Sequence, residues 1–577
     1  MLSHMEVLGR WAMRVAVGCA LALALCGAAS AQVLTCPVSS NLNVSATVTN
    51  VASTCFIDAG VQVTIASTGE LYNFGPVSAS GILVNNGTIN NGGTLQNEPD
   101  QTITNFGTLL NNNYLDIAGG TLTNAGTLDN FGTIADTVTV GTLNNTGTLT
   151  NTGSMTLFDT VMNYAGANLN NTGTLSLSAY FVDSGTGADS FTSDGTLTNF
   201  VGGVVLAATD FTNDGSVVNR GTFYTGGVGT AQTTFTNNGT VTNYGTFSTS
   251  ALGGFPPTVT NNGTFTNYGT FSNVPSGVFT ATVKNNGTFD NFGTLTNQAL
   301  FTNSVTGNLI NETSATITID GSRLGNLGLL TNEGTIILTN NGVEGELDNY
   351  GTLTNNGSIA NNGGYLYVAW GATLSNTVGS SYMQTGGTTQ VEGTINSVPA
   401  VQIQGGTLTG LGTINGNVNN SGGSVEGGDG LGGLLTVNGT YTQGGTGMLT
   451  VDLTTGSFYG VLDVSGLAVL DGTVDFDAIA GFTPEAGDDF TFLLFGSLSG
   501  EFAHIDFDGW ACPTNDTCDV VYGANSVSLD IMGPNGGNGG GGGTTTPEPG
   551  GLWLLFAGLM AMTTLEVRRR SAKSTIA

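Results

Sequence analysis

The feature that most constrains this fold is a regular internal repeat within Phe211–Leu295. Four copies of a thirteen-residue block begin at Phe211, Phe235, Val259 and Val283, so the period is 24 residues. A fixed period of this length indicates a solenoid, because each repeat is one structural unit that buries its apolar side chains against its neighbours.

Superposing the four copies places similar side chains in register. The block supplies two asparagine columns, two apolar columns and one threonine column, which are Asn213, Asn237, Asn261 and Asn285; Asn219, Asn243, Asn267 and Asn291; Val217, Val241, Phe265 and Phe289; Phe223, Phe247, Phe271 and Leu295; and Thr222, Thr246, Thr270 and Thr294. Amides stacked about 4.8 Å apart can hydrogen-bond along a column, and threonine suits a pleated surface. The Asn-Gly, Asp-Gly and Tyr-Gly pairs predict corners, because glycine accepts a positive φ. We therefore predict an all-β fold, a parallel β-helix with one 24-residue unit per coil.

Short strand patterns extend the predicted β-helix over residues 81–416, where glycine often recurs every six residues, as at Gly120, Gly126 and Gly132. A six-residue step also suits a left-handed β-helix of about eighteen residues per coil. The 24-residue repeat favours the right-handed form. Residues 32–80 are predicted to form an N-terminal cap, and residues 417–532 a C-terminal capping β region.

Composition argues against two classes of protein. The chain has nine Lys and Arg against 40 Asp and Glu, and a formal net charge of −31. Nucleic-acid binding requires clustered basic residues, so no nucleic-acid partner is expected. The apolar fraction is 39% and the charged fraction only 8%, which disfavours a disordered chain.

The first 31 residues predict a secretory signal peptide. Two arginines precede the apolar run Val15–Leu25, and the small residues Ala29-Ser30-Ala31 place the cleavage site between Ala31 and Gln32. Lipid modification of Cys26 is the alternative.

Four cysteines remain after this cleavage: Cys36, Cys55, Cys512 and Cys518. An even number of cysteines in an exported chain suggests disulfides, and four allow three pairings. Sequence proximity favours Cys36–Cys55 and Cys512–Cys518. Metal binding is disfavoured because His504 is the only histidine beyond the predicted signal peptide and no Cys-x-x-Cys motif occurs.

A Gly-rich linker over residues 533–546 precedes a three-part C-terminal segment. Its parts are the tripeptide Pro547-Glu548-Pro549, the uncharged run Gly550–Leu565 and the basic cluster Arg568-Arg569-Arg570. This order over residues 547–577 resembles the PEP-CTERM sorting signal. The resemblance implies recognition by a membrane protease of the exosortase type while an apolar helix spans the inner membrane with its arginines on the cytoplasmic side. A permanent single-span anchor is the alternative.

Residues 405–505 resemble the C-terminal part of autotransporter-type passenger domains and related bacterial adhesins. The segments that carry the resemblance include Leu435–Gln443, Met448–Leu453 and Phe490–Phe495. In those proteins a β-helix ends in a more hydrophobic capping segment, which is what the resemblance implies here.

Three close pairs of aspartates are the candidate chemical groups: Asp475 and Asp477, Asp488 and Asp489, and Asp506 and Asp508. Such pairs can bind Ca²⁺ or act as acid and base, but none has full Ca²⁺-ligand spacing and basic residues are scarce. We expect solvated acidic faces, with no catalytic residue, cofactor or metal.

These features predict a surface or extracellular-matrix protein of the adhesin type, delivered to the cell envelope or exterior and displaying its repeats for multivalent contact with polysaccharide or another surface. The alternatives are a polysaccharide-active lyase or hydrolase and, less favoured, an ice-binding protein. A carboxylate pair in a groove beside a basic residue would favour the enzyme. A flat, unbroken threonine plane would favour ice binding.

Overall fold

The computed structural model describes residues 32–533, except for 51–53, 137–140, 158–159, 179–189, 227–232, 250–256, 276–279 and 480. The described residues form an all-β parallel solenoid of about 19 turns and contain no helix. At roughly 4.8 Å per coil, this corresponds to a rod about 90 Å long. Among these residues no helix could cross a membrane. The predicted signal peptide (1–31) and sorting segment (547–577) lie outside them, as does all but the first residue of the predicted linker.

Each regular coil has three strands, and each strand pairs in parallel with the strands three before and three after it. The stacked strands make three sheets, named here faces A, B and C in chain order. Face A contains Leu42–Val44, Gln62–Ile65, Ile82–Asn85, Thr102–Asn105, Thr121–Asn124, Thr142–Asn145, Thr160–Asn163, Ser190–Ser193, Asp210–Asn213, Thr234–Asn237, Thr258–Asn261, Thr282–Asn285, Leu300–Asn303, Arg323–Asn326, Glu346–Asn349, Ser424–Glu426, Met448–Thr455, Thr473–Ala478 and His504–Asp508.

Face B contains Gln32–Val33, Thr47–Asn50, Glu70–Asn73, Thr88–Asn91, Thr108–Asn111, Thr127–Asn130, Thr148–Asn151, Asn168–Asn171, Thr196–Asn199, Ser216–Asn219, Thr240–Asn243, Thr264–Asn267, Thr288–Asn291, Asn308–Asn311, Leu329–Asn332, Thr352–Asn355, Thr373–Asn376, Thr394–Ser397, Thr413–Asn415 and Gly433–Val437. The C-terminal strands Thr517–Tyr522 and Ser526–Met532 join it as an antiparallel hairpin.

Face C contains Cys55–Ile57, Pro76–Ala79, Thr94–Asn97, Tyr114–Asp116, Thr133–Ala135, Ser154–Leu157, Thr174–Ser178, Val204–Ala208, Thr222–Thr225, Thr246–Ser248, Thr270–Asn273, Thr294–Asn297, Thr316–Asp320, Thr335–Thr339, Val418–Asn420 and Tyr441–Gln443. Long strands continue around a corner without a break. Those running from C to A are Ser358–Val368, Ser381–Val391 and Val401–Thr409, and those running from B to C are Phe458–Leu470 and Asp489–Gly500.

The repeat has the register that superposition predicts. Asn237 pairs with Asn213 and Asn261 in the neighbouring coils, and Phe247 pairs with Phe223 and Phe271. Within a strand such as Thr234–Asn237, the second and fourth side chains are buried and the first and third face outward. The parallel β-helix prediction is therefore confirmed, including the inward columns of aromatic residues and asparagine.

Phenylalanine fills the interior of the repeat. Phe211 stacks on Phe235 of the next coil with ring centroids 4.9 Å apart, and Phe223 stacks on Phe247 at 5.0 Å. Across the interior, Phe223 meets Phe235 edge to face at 5.6 Å. Stacked and edge-to-face arrangements both suit the charge distribution of aromatic rings, so each coil is held to the next by packing as well as by backbone hydrogen bonds.

Two buried asparagine ladders run along the rod beside this core. On face A the ladder contains Asn85, Asn105, Asn124, Asn145, Asn163, Asn213, Asn237, Asn261, Asn285, Asn303, Asn326 and Asn349. On face B it is unbroken and contains Asn50, Asn73, Asn91, Asn111, Asn130, Asn151, Asn171, Asn199, Asn219, Asn243, Asn267, Asn291, Asn311, Asn332, Asn355 and Asn376.

Most links in these ladders have two bonds. For example, Nδ2 of Asn243 donates to Oδ1 of Asn267 at 2.7 Å and to the carbonyl of Thr270 at 2.9 Å. Both amide hydrogens are therefore satisfied, which is what a buried polar group requires. The face A ladder has one fault, at Ser193, whose short side chain leaves Oδ1 of Asn213 without a hydrogen-bond partner.

The three corners of a coil differ in length. In the repeat, two residues, of which the second is glycine, connect faces A and B, and two more connect B and C. The C-to-A corner varies, and six of the undescribed internal segments lie there. The sequence separation of ladder partners consequently varies: it is 18 residues from Asn145 to Asn163 and 24 residues from Asn213 to Asn237. The number of residues per coil is therefore set by the length of the C-to-A corner and does not indicate handedness. The right-handed coil stays a prediction.

The corner glycines of the 24-residue repeat do not have the predicted role, whereas the glycines of other Asp-Gly and Asn-Gly pairs, such as Gly321 and Gly342, do have a positive φ. Gly239 and Gly245 lack a positive φ, but a Cβ on either would lie 2.1 Å from the carbonyl oxygen of the equivalent glycine one coil earlier. Glycine is required because the backbones of successive coils are stacked too closely for any side chain, rather than because the chain turns left-handed. Superposing the blocks aligns equivalent residues but does not give the distance between the backbones of successive coils, on which this requirement for glycine depends.

Parallel pairing also includes both predicted caps. It begins at Gln32 and continues on face A to Asp508, so residues 32–80 and much of 417–532 belong to the stack. The structure joins Cys36 to Cys55 and Cys512 to Cys518, the pairing that sequence proximity favours. One disulfide lies near each end of the stack.

Candidate functional site

Outward threonines cover much of the three faces, but they do not form an unbroken plane. On face A, the pair Thr234 and Thr236 is followed in the next coil by Thr258 and Thr260. The following coil places Lys284 beside Thr260. The condition that would favour ice binding is therefore not met on this part of the face.

An exposed column of aromatic residues lies at the corner between faces B and C. Tyr244 and Tyr268 stack with centroids 5.0 Å apart, and Tyr268 stacks on Phe292 at 4.8 Å. The guanidinium of Arg220 lies 5.0 Å from the centroid of the Tyr244 ring. Because each ring covers its neighbour, mainly ring edges and hydroxyls face solvent. This column stabilises the corner and offers little open ring face to a ligand.

A notch of about 350 Å³ interrupts face A farther along the rod and is lined by Leu300, Thr302, Arg323, Gly325, Leu327 and Tyr350. Gly325 occupies an outward position that Thr260, Lys284 and Thr302 fill in the preceding coils. A Cβ at Gly325 would have no atom within 4 Å, so the missing side chain is what opens the notch. We name this site the Gly325 notch.

Polar contacts fix one wall of the Gly325 notch. Nε of Arg323 lies 2.5 Å from Oδ2 of Asp348, whose side chain is almost fully buried. Nη2 of Arg323 donates to the hydroxyl of Tyr350 at 3.0 Å, and its guanidinium lies 5.7 Å from the centre of that ring. Tyr367 meets Tyr350 edge to face at 5.8 Å. The wall is therefore a preorganised unit of arginine and tyrosine with a balancing carboxylate.

Electrostatics beside the notch disfavour a tyrosinate base. Burial, followed by the charge of Glu392, raises the pKa of Tyr367 well above its ordinary value. A raised pKa keeps the phenol protonated at neutral pH. The notch can consequently donate and accept hydrogen bonds and pack against apolar atoms.

The structure brings two of the three predicted aspartate pairs together. Asp475 pairs with Asp506, and Asp477 with Asp508, on adjacent strands of face A. Burial, then the charges of Asp508, Asp477 and Asp506, raise the pKa of Asp475. This acidic patch matches the expected acidic faces.

The third pair does not act as a unit. Oδ2 of Asp488 accepts a bond from the backbone of Glu485, whereas Asp489 pairs with Asp530. Within the described part of the chain, no three His, Cys, Asp or Glu side chains are arranged to hold a metal ion.

The remaining predicted site residues belong to the termini. Gln32 begins the first strand. The other residues of the predicted cleavage and sorting sites lie outside the described residues, and they are Ala31, Pro547, Glu548, Pro549, Arg568, Arg569 and Arg570.

Sequence reasoning missed the Gly325 notch. Arg323, Gly325 and Tyr350 come from coils of unequal length, so no fixed period aligns them. The available indication was the rarity of basic residues, since Arg323 is one of three between the predicted terminal segments.

No protein-family model and no curated protein sequence matches this chain. The class of protein that the fold defines is a repetitive β-solenoid, compatible with an adhesin-like or surface protein.

Proposed function

We propose that this chain is an exported, non-catalytic surface or extracellular-matrix protein that binds neutral polysaccharide. The Gly325 notch carries this proposal, because it is a preformed depression on an otherwise regular face. Rows of outward hydroxyls on neighbouring coils would add weak contacts along an extended glycan. Many such contacts on one rod, and many rods on one surface, multiply the effective affinity.

The chemistry of the notch favours a neutral glycan. Leu300, Leu327 and the ring of Tyr350 offer apolar surface to the C–H face of a sugar ring, and Thr302 offers a hydroxyl. The carboxylate of Asp348 balances the charge of Arg323. The chain's net charge of −31 would repel an anionic polymer.

The same groups support binding rather than catalysis. A lyase requires a base that can accept a proton, whereas Arg323 is ion-paired and the pKa of Tyr367 is raised. A single carboxylate, that of Asp348, lies beside Arg323, which is part of the arrangement that would favour an enzyme, so the polysaccharide-active enzyme stays the second candidate. Release of reducing ends or of unsaturated products from a bound glycan would favour it.

Filling the notch tests the binding proposal directly. Gly325→Val places a side chain in open space, so the fold should be retained while glycan affinity falls about tenfold or more. Thr260→Val is the matched control, because it adds the same side chain in the same outward column three coils earlier. The measurement is binding of residues 32–546 to an array of neutral and acidic glycans. Equal binding by both variants would contradict the proposal.

Delivery to the exterior is the other part of the proposal. Two disulfides are consistent with an oxidising, extracytoplasmic compartment. The proposed route uses the signal peptide, transient anchoring by residues 550–565 and cleavage near Pro547–Pro549 by an exosortase-type protease. Mass spectrometry of surface-released protein checks it, and peptides from 571–577 in that material would indicate a permanent anchor.

A further inference from the structure

Two carboxyl groups, those of Glu426 and Asp452, contact each other on face A near the C-terminal end of the solenoid. Glu426 ends the strand Ser424–Glu426, and Asp452 lies in Met448–Thr455, the next strand on that face. Asp452 points outward from its strand, yet only 4% of its surface is exposed. Sequence alone gave no indication of this pair, because no regular repeat aligns the two consecutive coils that carry the two residues.

A glycine-rich loop covers the pair. Residues 427–433 include four glycines with a positive φ and carry Asp429. The hydroxyl of Thr454 donates to the carbonyl of Leu431, which fastens the loop to the strand that contains Asp452. The loop therefore brings the backbone N–H of Gly430 to the carboxyl group of Glu426 and adds the negative charge of Asp429 nearby.

The pair has only part of the hydrogen bonding that buried carboxylates need. Glu426 shares a hydrogen bond with Asp452 and accepts one from the backbone of Gly430, but Oε1 of Glu426 and Oδ2 of Asp452 are buried and have no hydrogen-bond partner. The Lys and Arg residues of the described chain are at 220, 284 and 323, several coils away. Asp477, the neighbour of Asp452 in the following coil, adds further negative charge. Burying unpaired carboxylate oxygens is costly, so this arrangement points to a cation.

We propose that Glu426 and Asp452 bind one Ca²⁺ ion, with water completing its coordination. Calcium takes six to eight oxygen ligands, accepts carboxylates and carbonyls together and tolerates irregular geometry. Magnesium demands a near-ideal octahedron and loses its water reluctantly, so two carboxyl groups from adjacent strands suit it less well. The site joins two consecutive coils, so the ion stabilises the C-terminal part of the rod.

Thermal unfolding of the exported protein with chelator, Ca²⁺ or Mg²⁺ tests the proposal. We expect 10 mM Ca²⁺ to raise the melting temperature of the C-terminal coils by roughly 3–8 °C, with a smaller effect of Mg²⁺. The double variant Glu426→Gln with Asp452→Asn should lose this shift. It should unfold no earlier than the wild type in chelator, because amides of the same shape remove the like charges.

A matched control separates a site from general screening of negative charge. The double variant Asp506→Asn with Asp508→Asn removes two exposed charges from the same face and should keep the Ca²⁺ shift. Equilibrium dialysis against ⁴⁵Ca²⁺ in 0.15 M KCl should find one site per chain that the Glu426 and Asp452 variant lacks. Absence of a shift in the wild type, or equal shifts in all three proteins, would overturn the proposal.

Discussion

The coils of the 24-residue repeat and the coils near the C-terminus stack in the same parallel way but satisfy their buried polar groups differently. In the repeat, Asn243 bonds to Asn267 of the next coil. Near the C-terminus, Gln443 directs its amide to backbone carbonyls of Gly447, Asp471 and Thr473. A ladder of side chains requires an asparagine at the equivalent position of the next coil. A longer glutamine amide that bonds only to backbone carbonyls does not require a matching side chain in the next coil.

The two regions also differ on their outer faces. Repeat coils present mostly neutral hydroxyls, whereas the C-terminal coils align carboxylates such as Asp475 and Asp506 on adjacent strands. A parallel stack places equivalent outward positions of successive coils side by side. Aspartates at equivalent positions of the C-terminal coils therefore lie next to one another. Apart from Asp290, whose pKa is raised by burial, the repeat has few such groups, so its stability should depend less on pH and cations than that of the C-terminal coils.

The largest expected effect comes from placing a charge inside a repeat coil. Val241 is fully buried between coils, so Val241→Asp should lower the free energy of unfolding by about 3–5 kcal/mol. The adjacent outward residue gives the control, and Thr242→Asp should change stability by about 0.5 kcal/mol or less. Equal melting temperatures for the two variants would show that the side chain of Val241 does not face the interior.

Next in size is the effect of a methyl group at a repeat corner. Gly245→Ala would force its Cβ against the backbone of the preceding coil and should cost about 1–3 kcal/mol. Gly325→Ala, where the Cβ meets nothing, should be nearly neutral. Denaturant unfolding compares them. If Gly245→Ala were neutral as well, close stacking would not explain the corner glycines.

Repairing the ladder fault should have a smaller, favourable effect. Ser193→Asn would supply the missing donor to Asn213 and should raise the free energy of unfolding by about 1 kcal/mol. Thr192→Asn on the outward side of the same strand should not stabilise the protein. A Ser193→Asn variant that is no more stable than the wild type would show that the ladder contributes no net energy there.

The smallest expected effect is that of pH on the C-terminal coils. The pKa of Asp475 is raised in the folded protein, so the folded state holds its proton more tightly than the unfolded chain does. Stability contributed by this group is therefore lost as pH rises through the folded-state pKa and is gained as pH falls from 7 toward about 4. Hydrogen exchange, corrected for intrinsic rates, should show greater protection of residues 473–478 at pH 5 than at pH 7.

The acidic patch supplies a variant that isolates this pH effect. Asp475→Asn should weaken the pH dependence without changing the protection of Ser216–Asn219, a repeat strand two coils farther from Asp290 than Thr264–Asn267. A pH response of equal size in both regions would contradict the contrast between them.

The repeat made the fold predictable, because identical blocks can stack in only one register without misplacing Asn237 or Phe247. The same regularity concealed what depends on distances between coils. For that reason the predicted cause of the glycines at the repeat corners, including Gly245, is wrong. The Gly325 notch and the pair of Glu426 and Asp452 were not predictable, because each joins residues from coils of different length.

Every link in the asparagine ladders points the same way along the rod. Asn219 donates toward the C-terminal coil to Asn243, which donates onward to Asn267. The amide dipoles consequently add along the axis, as peptide dipoles do in a helix, with the carbonyl end toward the N-terminus. The solenoid is electrically polar even where its surface is neutral. Two such rods side by side have lower electrostatic energy when they run antiparallel, so the interior asparagines bias how rods align in a dense layer.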